Sequence, residues 1–193
     1  MNSSLSSERI VEVPFALQYA KGPLVLDVGK DRSGDYTRKL EDRGITVRSV
    51  DKYDTSATWN TDFQELGIDL KFNTILFLSS LEHFDHSLYN LATCKTDVFS
   101  ICKARSMLWD ENSVIIITVP LGREYIAGDF IQWSIGRVER IVDMCDIKVL
   151  RKEVHCRDAY VDRWKAAGHI DVKDLDYRTD GAGANAVYMG VWR

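Results

Sequence analysis

The sequence has few prolines and cysteines, and the cysteines do not form a metal or disulfide pattern. There are three prolines and four cysteines, and no two cysteines stand in a CxxC pair. The four histidines have no zinc-ligand spacing near them. Zinc ribbons and disulfide-stapled scaffolds are therefore excluded, and scattered cysteines are typical of a reducing compartment.

Long apolar runs and an excess of basic charge are also absent. The apolar run at 114–119 is far too short to cross a bilayer, and the Ser-rich start has no basic stretch followed by an apolar one. The formal net charge of -4 argues against a surface built to grip phosphate backbones. We therefore expect a cytoplasmic protein that binds no membrane, and a nucleic-acid partner is not favoured.

What the sequence does contain is an alternation of apolar runs and amphipathic stretches. With 193 residues, 45% hydrophobic and 28% charged, it suits one soluble domain over 1–193, with 1–22 as an N-terminal extension or helix. The patterns predict strands at 24–28, 45–50, 73–78, 113–119, 147–154 and 186–192. They predict helices at 33–43, 88–108 and 128–144, and short ones near 63–66 and 158–167.

Strands separated by helices of this length indicate βαβ units. Such units build an α/β fold with a mainly parallel sheet. The last two predicted strands, 147–154 and 186–192, have more loop between them and could pair in an antiparallel way.

A glycine ends the first predicted strand and an aspartate follows the second. Gly29 comes directly after the strand, and Asp51 lies 22 residues further on. Ligands of doubly wound sheets bind outside the carboxyl ends of the strands, where an acidic side chain can accept hydrogen bonds from both ribose hydroxyls. The pattern favours a nucleotide-like ligand; a loop glycine and a solvated carboxylate are the plain structural alternative.

The loop after the first strand distinguishes between nucleotides. A dinucleotide fingerprint needs three glycines in G-x-G-x-x-G, whereas only Gly29 and Gly34 are present and the middle position is Asp31. A carboxylate there repels a pyrophosphate but not a sulfonium with an amino acid tail. The charge favours S-adenosylmethionine over a nicotinamide dinucleotide.

Five segments together carry a family resemblance: 25–29 (VLDVG), 50–51, 61–63, 73–84 with its S-x-x-E-H run, and 113–122 with T-V-P-x-G. They resemble motifs of the class I S-adenosylmethionine-dependent methyltransferases, and the resemblance covers about residues 10–193. The segments 9–14 and 183–187 weakly resemble the subgroup found in polysaccharide- and sugar-modifying clusters.

The resemblance implies a fold and a cofactor site. The fold is a doubly wound, mostly parallel seven-stranded sheet with an antiparallel C-terminal strand and helices on both faces, a three-layer sandwich. The cofactor would be S-adenosylmethionine, bound by Asp27, Gly29, Gly34, Asp51, Lys52, Asp62, Phe63, Ser79 and Leu81. Lys30–Ser33 stands where the family usually has further glycines.

Candidate acceptor residues follow the later strands. Methyl transfer needs alignment and a nucleophile without its proton, and a neutral His83 could take that proton from a hydroxyl. The alternative is that His83 only lines the pocket. Glu82, Arg123, Tyr125 and Trp133 are candidate substrate contacts. Arg123 could equally be a solvated loop residue and Trp133 part of the core, and no metal site is expected.

These observations leave three functions open. The first is methyl transfer from S-adenosylmethionine to a small hydroxylated acceptor such as a sugar or glycan precursor. The second is a non-catalytic module of the same fold that regulates a partner. An oligomer or a partner subunit is compatible with either function. The third, a nicotinamide-dependent oxidoreductase, is disfavoured because the third glycine and a Tyr-x-x-x-Lys dyad are missing.

Overall fold

A seven-stranded mixed sheet forms the centre of the protein. The computed structural model describes residues 7–31, 35–84, 95–127, 130–158, 163–176 and 183–193. The strands are β1 Leu24–Val28, β2 Thr46–Val50, β3 Thr74–Leu78, β4 Val114–Pro120, β5 Tyr125–Ala127, β6 Phe130–Gln132, β7 Val149–Asp158, β8 Arg163–Ala166 and β9 Ala186–Trp192. The helices are α1 Arg9–Tyr19, α2 Asp35–Glu41, α3 Lys95–Ser106, α4 Ile135–Met144 and α5 His169–Val172, with 3-10 turns at Phe63–Glu65 and Leu81–His83.

The strand order is β2-β1-β3-β4-β9-β7-β8. The first four strands in this order are parallel, and β9 is antiparallel to both β4 and β7. The predicted α/β fold is confirmed, including the antiparallel pairing of the last two predicted strands. An unpredicted strand, β8, extends the sheet antiparallel to β7. The carboxyl ends of β1, β2, β3 and β4 therefore meet along one edge of the sheet.

Each face of the sheet has its own core. Every residue of β3 and β4 is buried, because helices cover both faces. Side chains of α1 and α2 pack on one face, and side chains of α3, α4 and α5 pack on the other. The fold is thus a three-layer sandwich, and α1 lies on the same face as α2.

Two predicted helices are wrong in part. The segment predicted as a helix at 128–144 contains strand β6, which pairs with β5, and α4 begins only after Ser134. The Ser134 hydroxyl caps α4 by accepting a hydrogen bond from the backbone N–H of Arg137 at 3.1 Å. The helix predicted at 158–167 is replaced by strand β8, since sheet pairing overrides a weak local pattern.

The long helix predicted at 88–108 is observed as α3 from Lys95; residues 85–94 lie outside the described residues. Each helix within the described ranges is too short or too polar to cross a lipid bilayer.

A buried ion pair holds α3 against α4. Arg137 on α4 and Asp97 on α3 are each 1% exposed, and Nε of Arg137 donates to Oδ2 of Asp97 at 2.8 Å. The guanidinium also lies 5.3 Å from the ring centre of Trp133. Breaking a buried pair by removing one partner leaves an uncompensated charge in a medium of low dielectric constant, which is costly.

Two arginines of α4 provide a matched test of this pair. Replacing Arg137 with Met should lower the free energy of unfolding by about 3–5 kcal/mol, because the buried carboxylate of Asp97 loses its guanidinium counter-ion. Replacing Arg140 with Met should lower it by less than about 1 kcal/mol, because Arg140 pairs with Glu124 at the surface. Urea unfolding of both variants measures the difference, and equal losses would contradict the assignment.

Candidate active site

The loop after β1 passes close to the segment after β3. Gly29 has a φ of +82°, a conformation that favours glycine, and its N–H donates to the carbonyl of Val50 at 3.0 Å. A Cβ on Gly29 would lie 2.6 Å from the Cβ of Ser80, closer than real Cβ contacts come. Only glycine fits here, and the ends of β1, β2 and β3 are held together at this point.

Buried hydrogen bonds fix the same loop from within. Asp27 accepts from the hydroxyl of Tyr36 at 2.6 Å through Oδ1 and from the N–H of Asp31 at 2.9 Å through Oδ2. Asp31 in turn accepts from the N–H of Tyr36 at 3.1 Å. Asp27, predicted to bind cofactor, uses both oxygens to position the loop. Gly34 lies outside the described residues.

The aspartate after β2 presents one carboxylate oxygen. Oδ1 of Asp51 accepts from the N–H groups of Tyr53 at 2.7 Å and Asp54 at 2.8 Å, which fixes the side chain in a tight turn. Oδ2 has no hydrogen-bond partner among the described residues. A fixed, half-buried carboxylate with an open oxygen can accept hydrogen bonds from ligand hydroxyls.

The loop after β2 returns towards the site through Asp62. Its Oδ1 caps the short turn by accepting from the N–H of Gln64 at 2.9 Å, and its Oδ2 lies 3.3 Å from Nζ of Lys52. Phe63 is 3% exposed, and its ring packs edge-on against Phe77 with 5.5 Å between ring centres. Phe63 thus supports the site from below, whereas Lys52 and Asp62 stay accessible.

The end of β3 adopts a strained conformation. Ser79 has a φ of +47°, which is uncommon for a residue with a side chain. Its hydroxyl donates to Oε1 of Glu12 at 2.6 Å, and its N–H donates to Oγ1 of Thr118 at 3.0 Å. Leu81 is buried beneath the same segment. The strain persists because α1 and β4 both hold Ser79.

A cavity of about 220 Å³ opens beside Ser79, at the ends of β3 and β4. Helix α1 forms one of its walls. The lining residues are Glu8, Arg9, Ser79, Glu82, His83, Pro120, Phe130 and Ala184. Three of the sequence predictions, Ser79, Glu82 and His83, therefore lie at one cavity.

Unpartnered oxygens lie on lining residues of this cavity and on residues next to the lining. They are Oε2 of Glu8, Glu12 and Glu82 and Oγ of Ser80, each buried without a hydrogen-bond partner among the described residues. The nearest cation is Arg9, whose Nε lies 3.8 Å from Oε2 of Glu12. Burial raises the pKa of Glu12 and raises that of Glu82 well above its ordinary value.

His83 lies at the exposed side of the cavity. Its ring meets that of Phe130 edge-on, with 5.9 Å between ring centres. His83 is therefore both a lining residue of the cavity and exposed to solvent.

The remaining predicted acceptor residues do not line the cavity. Arg123 forms a two-pronged ion pair with Asp176, Nε to Oδ1 at 3.0 Å, and is 62% exposed. Trp133 is fully buried under Arg137, so the structure places it in the core. Tyr125 is half-buried in β5.

Sequence reasoning missed the contribution of α1. Glu8, Arg9 and Glu12 were not among the predicted site residues, yet they wall or back the cavity. One signal was present: Glu12 shares a helix face with Phe15 and Ala16, all three buried. A charged residue on the apolar face of a helix is uncommon and marks a partner or a site.

Within the described ranges, no group of three or more His, Cys, Asp or Glu side chains is placed to hold a metal ion.

No protein-family model matches the sequence, and a search of curated proteins finds no match. Solved structures do match. A S-adenosylmethionine-dependent methyltransferase of Leishmania major has a TM-score of 0.64 at 8% identity, covering 100% of this chain and 78% of that one. The 1,6-didemethyltoxoflavin-N1-methyltransferase of Burkholderia thailandensis, solved with S-adenosylhomocysteine, has a TM-score of 0.61 at 14% identity, covering 100% and 79%.

The chain has the class I methyltransferase fold. That fold also serves other chemistry: the [4+2]-cyclase SpnF matches with a TM-score of 0.58 at 13% identity, covering 75% of this chain and 58% of that one. The activity on this methyltransferase fold must therefore be argued from the site.

Alanine substitutions at Gly29 and Gly44 distinguish the cost of backbone strain from the cost of a steric clash. Both have positive φ, but a Cβ on Gly44 meets no atom within 4 Å. Gly44→Ala should therefore cost about 1–2 kcal/mol of unfolding free energy from strain alone. Gly29→Ala should cost about 3 kcal/mol or more, because Ser80 must also move. Urea unfolding compares them, and equal costs would refute the close approach.

The buried Asp27 predicts an unusual pH dependence of stability. Burial raises the pKa of Asp27 to about 7, despite its hydrogen bond from Tyr36. The pKa of Asp27 is higher in the folded than in the unfolded state, so protonation of Asp27 stabilises the fold. This contribution to stability is complete in acid and is lost as the pH rises to about 7. Glu12 and Glu82 act in the same direction.

We therefore expect stability to fall between about pH 4 and pH 7, by up to about 1.4 kcal/mol per pH unit for each linked proton. Asp27→Asn should flatten this slope, whereas Asp42→Asn, an exposed control on the turn after α2, should not. Urea unfolding across this range measures it. A slope unchanged by Asp27→Asn would contradict the burial argument.

Proposed function

We propose that the protein is an S-adenosylmethionine-dependent methyltransferase that acts on a small hydroxylated acceptor. The observation that carries the proposal is that Asp51 and Gly29 follow the carboxyl ends of two neighbouring strands, β2 and β1. One offers an open carboxylate oxygen, and the other allows close approach to the backbone. S-adenosylhomocysteine in a structure of the same fold supports this choice of ligand.

The residues fit this cofactor in position and charge. Oδ2 of Asp51 would accept hydrogen bonds from the ribose hydroxyls, and Lys52 and Asp62 would flank the base. The buried carboxyl groups near Gly29, including Asp27 and Asp31, suit a ligand with a positive charge better than a pyrophosphate. The same charge disfavours the nicotinamide-dependent alternative.

When bound, S-adenosylmethionine supplies an electrophilic methyl group. The chain's own part is to align the acceptor and remove water, which is where most of the rate enhancement of such a displacement arises. Ser79 and Glu82 would line the path from the cofactor loop into the cavity. His83, at the exposed side, would accept the proton of an acceptor hydroxyl.

The size and lining of the cavity support a small polar acceptor. A volume of about 220 Å³ suits a molecule of the size of one sugar ring, and most of the lining side chains are polar or charged. A sugar or glycan precursor meets both conditions.

Asp51 offers a sharp test of cofactor binding. Asp51→Asn keeps Oδ1 for the turn bonds to Tyr53 and Asp54 but places an NH₂ donor where the ribose needs an acceptor. The affinity for S-adenosylhomocysteine should fall at least about 10-fold, because hydrogen bonds to a charged group are lost. Titration calorimetry measures it, with the exposed Asp69→Asn as a control of unchanged affinity.

Two outcomes would count against the proposal. If wild-type protein fails to bind S-adenosylhomocysteine at millimolar concentration, the cofactor assignment is wrong. If Asp51→Asn binds as tightly as wild type, Asp51 does not hold the ribose. Binding without turnover on a broad acceptor panel would favour the non-catalytic module instead.

A further inference from the structure

The cavity beside Glu82 holds more acid than base. Glu8 and Glu82 line it, and Glu12 backs it through Ser79, whereas Arg9 is the arginine that faces them. Arg9 is directed to Glu12, 3.8 Å away. One guanidinium thus stands against three carboxyl groups. Glu82 is 5% exposed, and its Oε2 has no hydrogen-bond partner among the described residues.

The strand order places this cavity away from the ribose position. Asp51 follows β2, and the cavity lies at the ends of β3 and β4, with β1 between them. A nucleoside held at Asp51 and Gly29 therefore does not fill the cavity, and the cavity stays available for the acceptor. This assignment rests on the proposed function, because it takes the cavity as the acceptor pocket.

We propose that the acceptor carries a protonated amine, and that Glu82 is the counter-ion that selects it. The chemical class is a small hydroxylated amine, such as an amino alcohol or an amino sugar.

The donor and acceptor inventory of the cavity favours an ammonium group over another hydroxyl. An ammonium has three donors and no acceptor, whereas a hydroxyl adds an oxygen to a space that already holds unpartnered oxygens. The open oxygens of Glu8 and Glu82, which both line the cavity, can each accept one of its protons. A cation also offsets the cost of burying carboxylates, which is large when they are unpaired.

Ligand charge and the proton on Glu82 are linked. The charged and titratable groups that face Glu82 are Glu8, Arg9 and Glu12 from α1 and its start, and His83 beside it. Burial raises the pKa of Glu82 well above its ordinary value, which favours the protonated carboxyl group when no cation is bound. An ammonium that binds there favours the carboxylate, and the proton is released to the buffer.

Two probes of equal size test the proposal: ethanolamine and ethylene glycol, which differ in one NH₃⁺ against one OH. Each is titrated by calorimetry into protein saturated with S-adenosylhomocysteine at pH 7, in two buffers of different ionisation enthalpy. Ethanolamine should bind at least about 10-fold more tightly, as expected for a charge-assisted hydrogen bond, and should release up to one proton.

Variants assign the effect to Glu82. Glu82→Gln keeps the shape of the side chain and should abolish both the preference for ethanolamine and the proton release. Glu41→Gln, an exposed substitution on α2, should change neither. If Glu82→Gln does not fold, the wild-type comparison of the two probes still decides.

Each opposite result overturns the proposal: no binding of ethanolamine at 100 mM, equal binding of the two probes, or a preference that survives in Glu82→Gln. The ammonium of the cofactor itself is the other source of this chemistry. A second result would show that the cofactor's ammonium fills the site: S-adenosylhomocysteine releases the proton on binding, and Glu82→Gln weakens the binding of S-adenosylhomocysteine but not of 5′-methylthioadenosine, which has no ammonium. The acceptor assignment would then be wrong. Failure of the proposed function gives a different result, because S-adenosylhomocysteine itself would then not bind. In that case the two probes are titrated into the free protein.

Discussion

The close approach of Gly29 to Ser80 is the constraint on which the rest of the site depends. It brings the loop after β1 against the segment after β3, and the bond from Gly29 to Val50 adds the end of β2. The Asp27–Tyr36–Asp31 hydrogen bonds then hold this loop in one path. With that junction in place, Asp51 stands on one side of Gly29 and the acidic cavity on the other, so the proposed cofactor and acceptor sites are neighbours.

The site also carries an electrostatic cost that the fold does not remove. Asp27, Glu12 and Glu82 are buried carboxyl groups whose pKa values are raised, and Arg9 compensates them in part. Unpaired buried acids destabilise a protein, and groups with shifted pKa values cluster at functional sites. The same excess of acid explains why a sulfonium cofactor suits the site and why an amine is the acceptor group that we propose.

The sequence predicted the parts of the site that depend on local order along the chain. Gly29 and Asp51 were found because a strand, its terminal glycine and the next strand end at fixed intervals, and the order of the elements implies where those ends meet. Glu8, Arg9 and Glu12 were missed because their role depends on how α1 packs over the ends of β3 and β4, which is a tertiary property. Strands β6 and β8 were missed because they are short and have no strong period-two pattern, and Trp133 was assigned to the substrate because its burial is not visible in the sequence.

The most direct test of the account is a crystal structure with S-adenosylhomocysteine. The ribose hydroxyls should lie on Oδ2 of Asp51, the backbone of Gly29 against the ligand, and the sulfur should be directed towards the cavity at Ser79 and Glu82. A ligand bound elsewhere, or a ribose that does not contact Asp51, would contradict it.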